Sequence, residues 1–161
     1  MMKAIKDFVG QFRASIALDK RLIVKKKNRY YLLSEKLKKQ IQQDFFYAGV
    51  YLGKLKGSIF FPSFLLLTMM AEGKANKIVV DRKTAWLFIC GRDIFKQGIL
   101  EADGSRKGDY TLILNEHNEC LGFGKILRNI RKEQDPNKVV VKNILDIGDF
   151  LRREKQQSRQ R

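Results

Sequence analysis

The residue types that make and break bonds are scarce in this chain, and cations are abundant. Lys and Arg number 33 against 17 Asp and Glu, with one histidine and two cysteines. His117 falls inside Asn115-Glu-His-Asn118, a run of turn-forming residues, where a solvated imidazole without a partner is the expectation. Cys90 and Cys120 lie 30 positions apart, the first between Ile89 and Gly91 and the second followed by Leu121, with no CxxC pair and no zinc-ligand spacing. Both read as small reduced hydrophobes in strands, which points to an intracellular compartment. Gly122-Phe-Gly124 lacks the further glycines and the lysine of a phosphate-cradling loop. No catalytic, cofactor-binding or metal-binding set is expected. A net charge of +16 instead biases the chain toward polyanions, either nucleic acid or an anionic membrane face.

The cations are clustered. Up to residue 74 there are 15 basic and 5 acidic residues, and beyond it 18 and 12. Lys20, Arg21, Lys25, Lys26, Lys27 and Arg29 follow one another with no intervening acid, and Arg152, Arg153, Lys155, Arg159 and Arg161 crowd the end. Such runs are commonly solvated turns or frayed ends, yet neutralising several phosphates by counterion release requires them. The N-terminus lacks a continuous apolar stretch, so no signal peptide is expected. The longest apolar run, Ile59–Ala71, has 13 residues and includes Pro62, Ser63 and Thr68. That is short of the roughly 20 needed to span a bilayer. A soluble, monomeric, cytoplasmic protein that does not engage a membrane is the resulting expectation.

The elements that must carry these charges fall into two textures. Ile5, Phe8, Val9, Phe12 and Ile16 recur at helical spacing. Leu22–Val24 and Arg29–Leu33 read as strands, and Ser34 as the N-cap of a charged helix over Glu35–Asp44. Phe45–Leu55 and Ser58–Phe61 suggest a strand pair bent at Gly53 and Gly57; Ser63–Ala71 suggests a short buried helix entered through Pro62. From Lys77 the chain turns to short strands with frequent turn signals: Ile78–Val80, Ala85–Cys90, Thr111–Leu114, Leu121–Leu127 and Val139–Val141. The fold class expected is α/β (α+β) over 1–74, followed by a small mixed β-barrel over 75–155 and a polar basic tail over 156–161. Asp93 reads as a helix cap, Gly91 and Gly98 as positive-φ positions, and Gly122 and Gly124 as points of close backbone approach.

Four ordered segments of the second half resemble a PUA domain, the RNA-binding fold of pseudouridine synthases and archaeosine transglycosylases. The first is Trp86-Leu-Phe-Ile-Cys-Gly-Arg-Asp-Ile-Phe-Lys-Gln-Gly-Ile99; the others are Gly108–Leu114, Cys120-Leu-Gly-Phe-Gly-Lys125, and Val139–Val141 with Asp146–Arg152. The whole chain, through Tyr31–Lys36, Val50–Lys54, Leu121–Gly124 and Asp146–Asp149, resembles the nuclear-import-protein-seven family. Its members are small two-domain assembly factors of the large ribosomal subunit. That resemblance implies a non-catalytic protein acting on single-stranded segments of pre-rRNA through its PUA domain. It also implies partnership with other assembly factors through the N-terminal domain. The chain is shorter and more basic than the eukaryotic pattern, which favours an archaeal-type, cytoplasmic member over a nucleolar one.

Mapped by motif, the resemblance places RNA on Arg92 and Lys96, on Lys125 and Arg128, and on Arg152, Arg153 and Lys155. The last three are expected to be replaceable together without loss of fold. Phe123 has two readings, base stacking or core packing, the second favoured; Tyr30 and Tyr31 invite the same stacking idea. Two alternatives stand beside pre-rRNA: a module for tRNA or the translating ribosome, or an accessory of RNA modification, and a basic scaffold for acidic proteins. The apolar run Ser63–Ala71 would serve that scaffold as a partner groove if it proved exposed.

Overall fold

The computed structural model describes residues 3–41, 45, 47–104, 106–149 and 152. Contacts divide the chain into two compact units, one of residues 1–10 and 14–74, the other of 11–13 and 75–161.

The first unit opens with helix α1, Lys3–Gly10, which buries Ile5, Phe8 and Val9 along one side. The expected helix extended through Phe12 and Ile16, but it stops at Gly10, and Arg13 adopts a positive φ of 52°. A short 3-10 turn at Lys20–Leu22, capped by Asp19, leads into β1, Ile23–Lys26, and β2, Arg29–Leu32. Helix α2, Glu35–Gln40, starts where Ser34 Oγ accepts from Leu37 N–H. Strands β3, Val50–Lys56, and β4, Ile59–Pro62, complete an antiparallel four-stranded meander in sequence order. Helix α3, Phe64–Glu72, is capped by Ser63 and buries Leu66, Leu67, Met70 and Ala71. The apolar run over Ser63–Ala71 is thus largely core, and Leu65 is its one half-exposed large apolar side chain.

This unit absorbs the two tyrosines considered for base stacking. Tyr30 packs against Phe60, and Tyr31 sits among Phe45, Tyr47 and Tyr51 with ring centroids 5.4–5.7 Å apart. Both are buried, with no face open to a base. Part of the Lys20–Arg29 charge is also committed. Arg21 pairs with Asp19 at 2.9 Å, which lowers the carboxyl pKa and raises that of the guanidinium. Lys26 Nζ donates to the Phe45 carbonyl.

The second unit is a curled sheet of six strands. It contains β5, Lys77–Val80; helix α4, Arg82–Ile89; β6, Ile94–Phe95; β7, Ile99–Asp103; β8, Tyr110–Leu114; β9, Cys120–Ile126; and β10, Val139–Asp146. The strand order is β6-β10-β9-β8-β5-β7, with β5 and β8 parallel and the other pairs antiparallel. Strands β6 and β7 stand at opposite edges, yet only the 3-10 turn Lys96–Gly98 separates them in the chain. A flat six-stranded sheet is about 24 Å wide at ~4.8 Å per strand, which three residues cannot cross. The sheet therefore curls into a half-barrel around Ile78, Val80, Phe88, Ile94, Ile113, Ile126, Ile130, Val140 and Val141.

The segment read as a strand at Ala85–Cys90 is helix α4. Asp81 Oδ1 accepts from Thr84 N–H at 2.7 Å, an N-cap that outweighs the strand propensity of the apolar run behind it. Only Phe88 is fully buried, while Trp86 stands 65% exposed. Cys90 consequently ends a helix and is exposed rather than lying in a strand. Asp93 does not cap a helix either; its carboxylate accepts from Asn143 N–H at 2.9 Å. Gly98 has no positive φ, and its missing side chain instead makes room for that of Thr84. Gly91 does have a positive φ, 87°. Gly122 and Gly124 meet the expectation of close approach: a Cβ on the first would collide with Leu145 O, and on the second with the Val141 side chain.

A bulge between Asn143 and Leu145 shapes the end of β10. It turns the Asn143 amide to donate to Phe88 O at 2.8 Å and to Asp146 Oδ2 at 3.1 Å. Asp146, almost fully buried, also accepts from Asp149 N–H and from Arg152 Nη2 at 2.8 and 2.9 Å. Arg152 Nη1 donates to Ile89 O at 2.7 Å, so one guanidinium ties the end of α4 to the end of β10.

Three substitutions test this framework in urea unfolding. Asp146→Ala should lower stability by about 3 kcal/mol, because it orphans several donors and a partly buried cation. Arg152→Ala should cost less, about 1–2 kcal/mol, since the guanidinium is half exposed. Gly122→Ala, at φ 146° with backbone in the way, should cost about 3 kcal/mol. Unchanged midpoints would contradict the assigned contacts.

Candidate nucleic-acid interface

Strand β10 and its neighbours gather cations at three levels. At the clamp end, Arg92 is exposed just after α4. Its carbonyl accepts from the Asn143 amide at 3.4 Å, which fixes the backbone and leaves the side chain outward. Arg152 is beside it, but its guanidinium is engaged by Asp146 and Ile89 O, a structural role that sequence reasoning did not foresee. Arg153 and Lys155 lie outside the described residues.

In the middle, Lys125 on β9 stands directly opposite Lys142 on β10. Directly opposed residues share a face with Cβ atoms about 5 Å apart, and like charges so placed repel. Both side chains are exposed, and no carboxylate among the described residues pairs with either. Lys125 Nζ lies 5.9 Å from the centre of the Tyr110 ring, its other cross-strand neighbour. Tyr110 in turn packs against Phe12 and Phe123 at 5.8 and 5.9 Å. Phe123 is 6% exposed and 5.4 Å from the wholly buried Phe12, so it is core and not a stacking platform. Arg13 completes this side through an ion pair with Asp109 at 3.2 Å whose angle falls short of a hydrogen bond.

At the far end, Lys107, Leu127, Arg128, Asn137, Lys138 and Val139 line an open groove of about 640 Å³. Lys96 lies on the adjoining turn, where its N–H donates to Lys138 O at 2.9 Å. Lys138 has a loose partner in Asp135 at 3.7 Å; Arg128 and Lys107 have no carboxylate partner among the described residues. Of the expected contacts, Arg128 and Lys96 thus meet at one end of β10, Lys125 at its middle, and Arg92 with Arg152 at the other end.

Sequence reasoning passed over Lys142, Lys107, Lys138 and Trp86. Lys142 was legible as the first outward residue after the apolar Val139–Val141, had the strand been extended. Lys107 and Lys138 are brought together only by the curl of the sheet, for which a single sequence holds no local signal.

Nothing in the described residues forms a cluster of three or more His, Cys, Asp or Glu able to hold a metal. No described helix is long and apolar enough to cross a membrane. Cys120 is held protonated by burial, its pKa pushed up to about 11, and Cys90 is exposed at the end of α4. His117 is exposed, with its backbone N–H bonded to Asn115 Oδ1.

Comparison with known proteins finds similarities that centre on the second unit. The family description "UPF0113 PUA domain" matches residues 76–155. A UPF0113 protein of Archaeoglobus fulgidus is 28% identical over 111 residues, an alignment that covers 68% of this chain and 63% of that protein. This chain therefore spans less than two thirds of that relative. Among solved structures, a conserved PUA domain protein from Thermoplasma acidophilum has a similar fold, with a TM-score of 0.57 at 21% identity. The match covers 82% of this chain and 79% of that one. A PUA domain from Aeropyrum pernix, solved as a tartrate complex, matches at a TM-score of 0.50 and 18% identity, covering 62% and 58%. The half-barrel and the family match fall on the same residues, so residues 76–155 of this chain are similar to a PUA domain in sequence and in fold.

Proposed function

We propose that this protein binds RNA through the exposed face of β9 and β10, without catalysis, and that it acts in the assembly of the large ribosomal subunit. One observation carries the binding: Lys125 and Lys142 stand opposed on the PUA-like half-barrel, with no carboxylate partner among the described residues. Like charges on directly opposed residues repel, so the pairing itself does not stabilise the isolated protein. A phosphate between them converts the repulsion into two charge-assisted contacts. Tyr110 backs the pair with the negative face of its ring, which favours cations at this place.

The finer assignment to pre-rRNA and large-subunit assembly is supported by the four stretches that resemble the nuclear-import-protein-seven family. On that reading the first unit receives other assembly factors, and the protein works in the cytoplasm as an archaeal-type member. The absence of a catalytic role is part of the same proposal: His117 is solvated, and Cys120 is held as a thiol at neutral pH.

The test is the double substitution Lys125→Ala with Lys142→Ala, read by fluorescence anisotropy with a labelled single-stranded RNA. Affinity should fall about tenfold near 0.1 M salt, and the salt slope should shrink by roughly 0.7 for each phosphate contact removed. The urea midpoint should hold or rise, since a like-charge pair is gone. An unchanged affinity and slope in the folded variant would refute the assignment.

A further inference from the structure

The groove at the far end of β10 differs from the Lys125–Lys142 face in being charged and apolar at once. Lys107, Arg128 and Lys138 supply cations, Leu127 and Val139 supply apolar surface, and Asn137 supplies an amide. Its walls come from two connections, the one before β8 and both ends of the one between β9 and β10, together with the first residue of β10. Backbone hydrogen bonds hold both in place. Gly108 N–H donates to Ile126 O at 2.7 Å, Leu127 N–H to Val140 O at 2.8 Å, and Gln97 N–H to Pro136 O at 3.1 Å. The groove is thus preformed, and ligand binding there need not order a loop.

Val139 and Asp146 are the two ends of β10. Seven steps of about 3.3 Å put the groove roughly 23 Å from the Asp146–Arg152 clamp, too far for one nucleotide to touch both. Its charge is also open. Asp135 takes up part of Lys138, whereas Arg128 and Lys107 have no carboxylate partner among the described residues and can face an anion. A guanidinium forms two parallel hydrogen bonds with a phosphate, and the lysine adds a second charge from across the groove. Volumes of several hundred Å³ are those of small-ligand clefts, and only an unpaired nucleotide can turn both its base and its phosphate into one.

We infer that this groove is a subsite for a single unpaired nucleotide of the bound RNA. Its phosphate meets Arg128 and Lys107, its ribose and base lie against Leu127 and Val139, and the Asn137 amide faces the base edge. The inference rests on the RNA-binding reading and adds to it a preference for unpaired over paired strands. It also separates two kinds of cation: Lys125 and Lys142 track backbone charge on any strand, while the groove selects strand state.

The experiment is an amide NMR titration of the full chain with adenosine monophosphate, adenosine, a ten-nucleotide single-stranded RNA and a duplex of the same length. Wild type and Arg128→Ala with Lys107→Ala are compared, and anisotropy is measured in parallel on both RNA forms. Wild-type Leu127 and Val139 amides should shift with the single strand and with the monophosphate, and not with adenosine. The double variant should lose at least tenfold in single-strand affinity and less than threefold in duplex affinity, with signals away from the groove unmoved. Equal losses on both RNA forms would show generic charge and overturn the subsite. So would binding of the single strand with Leu127 and Val139 unshifted, which leaves the RNA reading intact. A wild type that binds neither RNA would overturn both.

Discussion

The three-residue link between β6 and β7 is the constraint from which the second unit follows. Edges of a six-stranded sheet joined by Lys96–Gly98 cannot lie far apart, so the sheet must curl. Gly98 allows the link to press against Thr84 at the start of α4, and Asp81 N–H closes it by donating to Gly98 O at 3.0 Å. The curl gives the core its closed lining of Ile, Val and Phe, and it sets β10 between β6 and β9. Every candidate contact in this domain is placed by its relation to β10. Helix α4 is bound to that strand by Asn143 at one point and by Arg152 at another.

Charge is distributed on this frame with two different purposes. Arg152 is spent inside the protein: its guanidinium satisfies a buried carboxylate and a helix-end carbonyl. Lys125, Lys142, Arg128 and Lys107 have no such employment among the described residues, and the first two oppose each other directly. A folded chain tolerates such a cost when a ligand offsets it. The distinction matters because net charge alone, +16 here, says nothing about which cations are available.

Legibility in the sequence followed the range of the interaction that decided each feature. Ser34 as a cap and the strand pair around residues 23–32 are local, and both were readable; Gly122 and Gly124 were readable from residue type alone, although the groups they approach lie on another strand. The run Ala85–Cys90 was misread because its apolar residues favour a strand, while the deciding cap, Asp81, sits four residues upstream. Asp93 was read as a cap because a carboxylate after glycine often is one; its partner, Asn143, is 50 residues away. The same distance hid the site. Arg92, Lys96, Lys125 and Arg128 came from motif position, but the opposition of Lys125 to Lys142 is a matter of register. Arg152 was assigned to RNA because nothing local marks Asp146 as its partner.

The central claim is that the exposed cations are arranged for nucleic acid rather than merely abundant. Its most direct measurement is anisotropy of the unmodified chain with a labelled single-stranded RNA at four salt concentrations, with heparin and DNA of matched length as competitors. The account predicts micromolar or tighter binding with a steep salt slope, and displacement by unlabelled RNA at lower concentration than by either competitor. Weak binding that every polyanion displaces equally would contradict it.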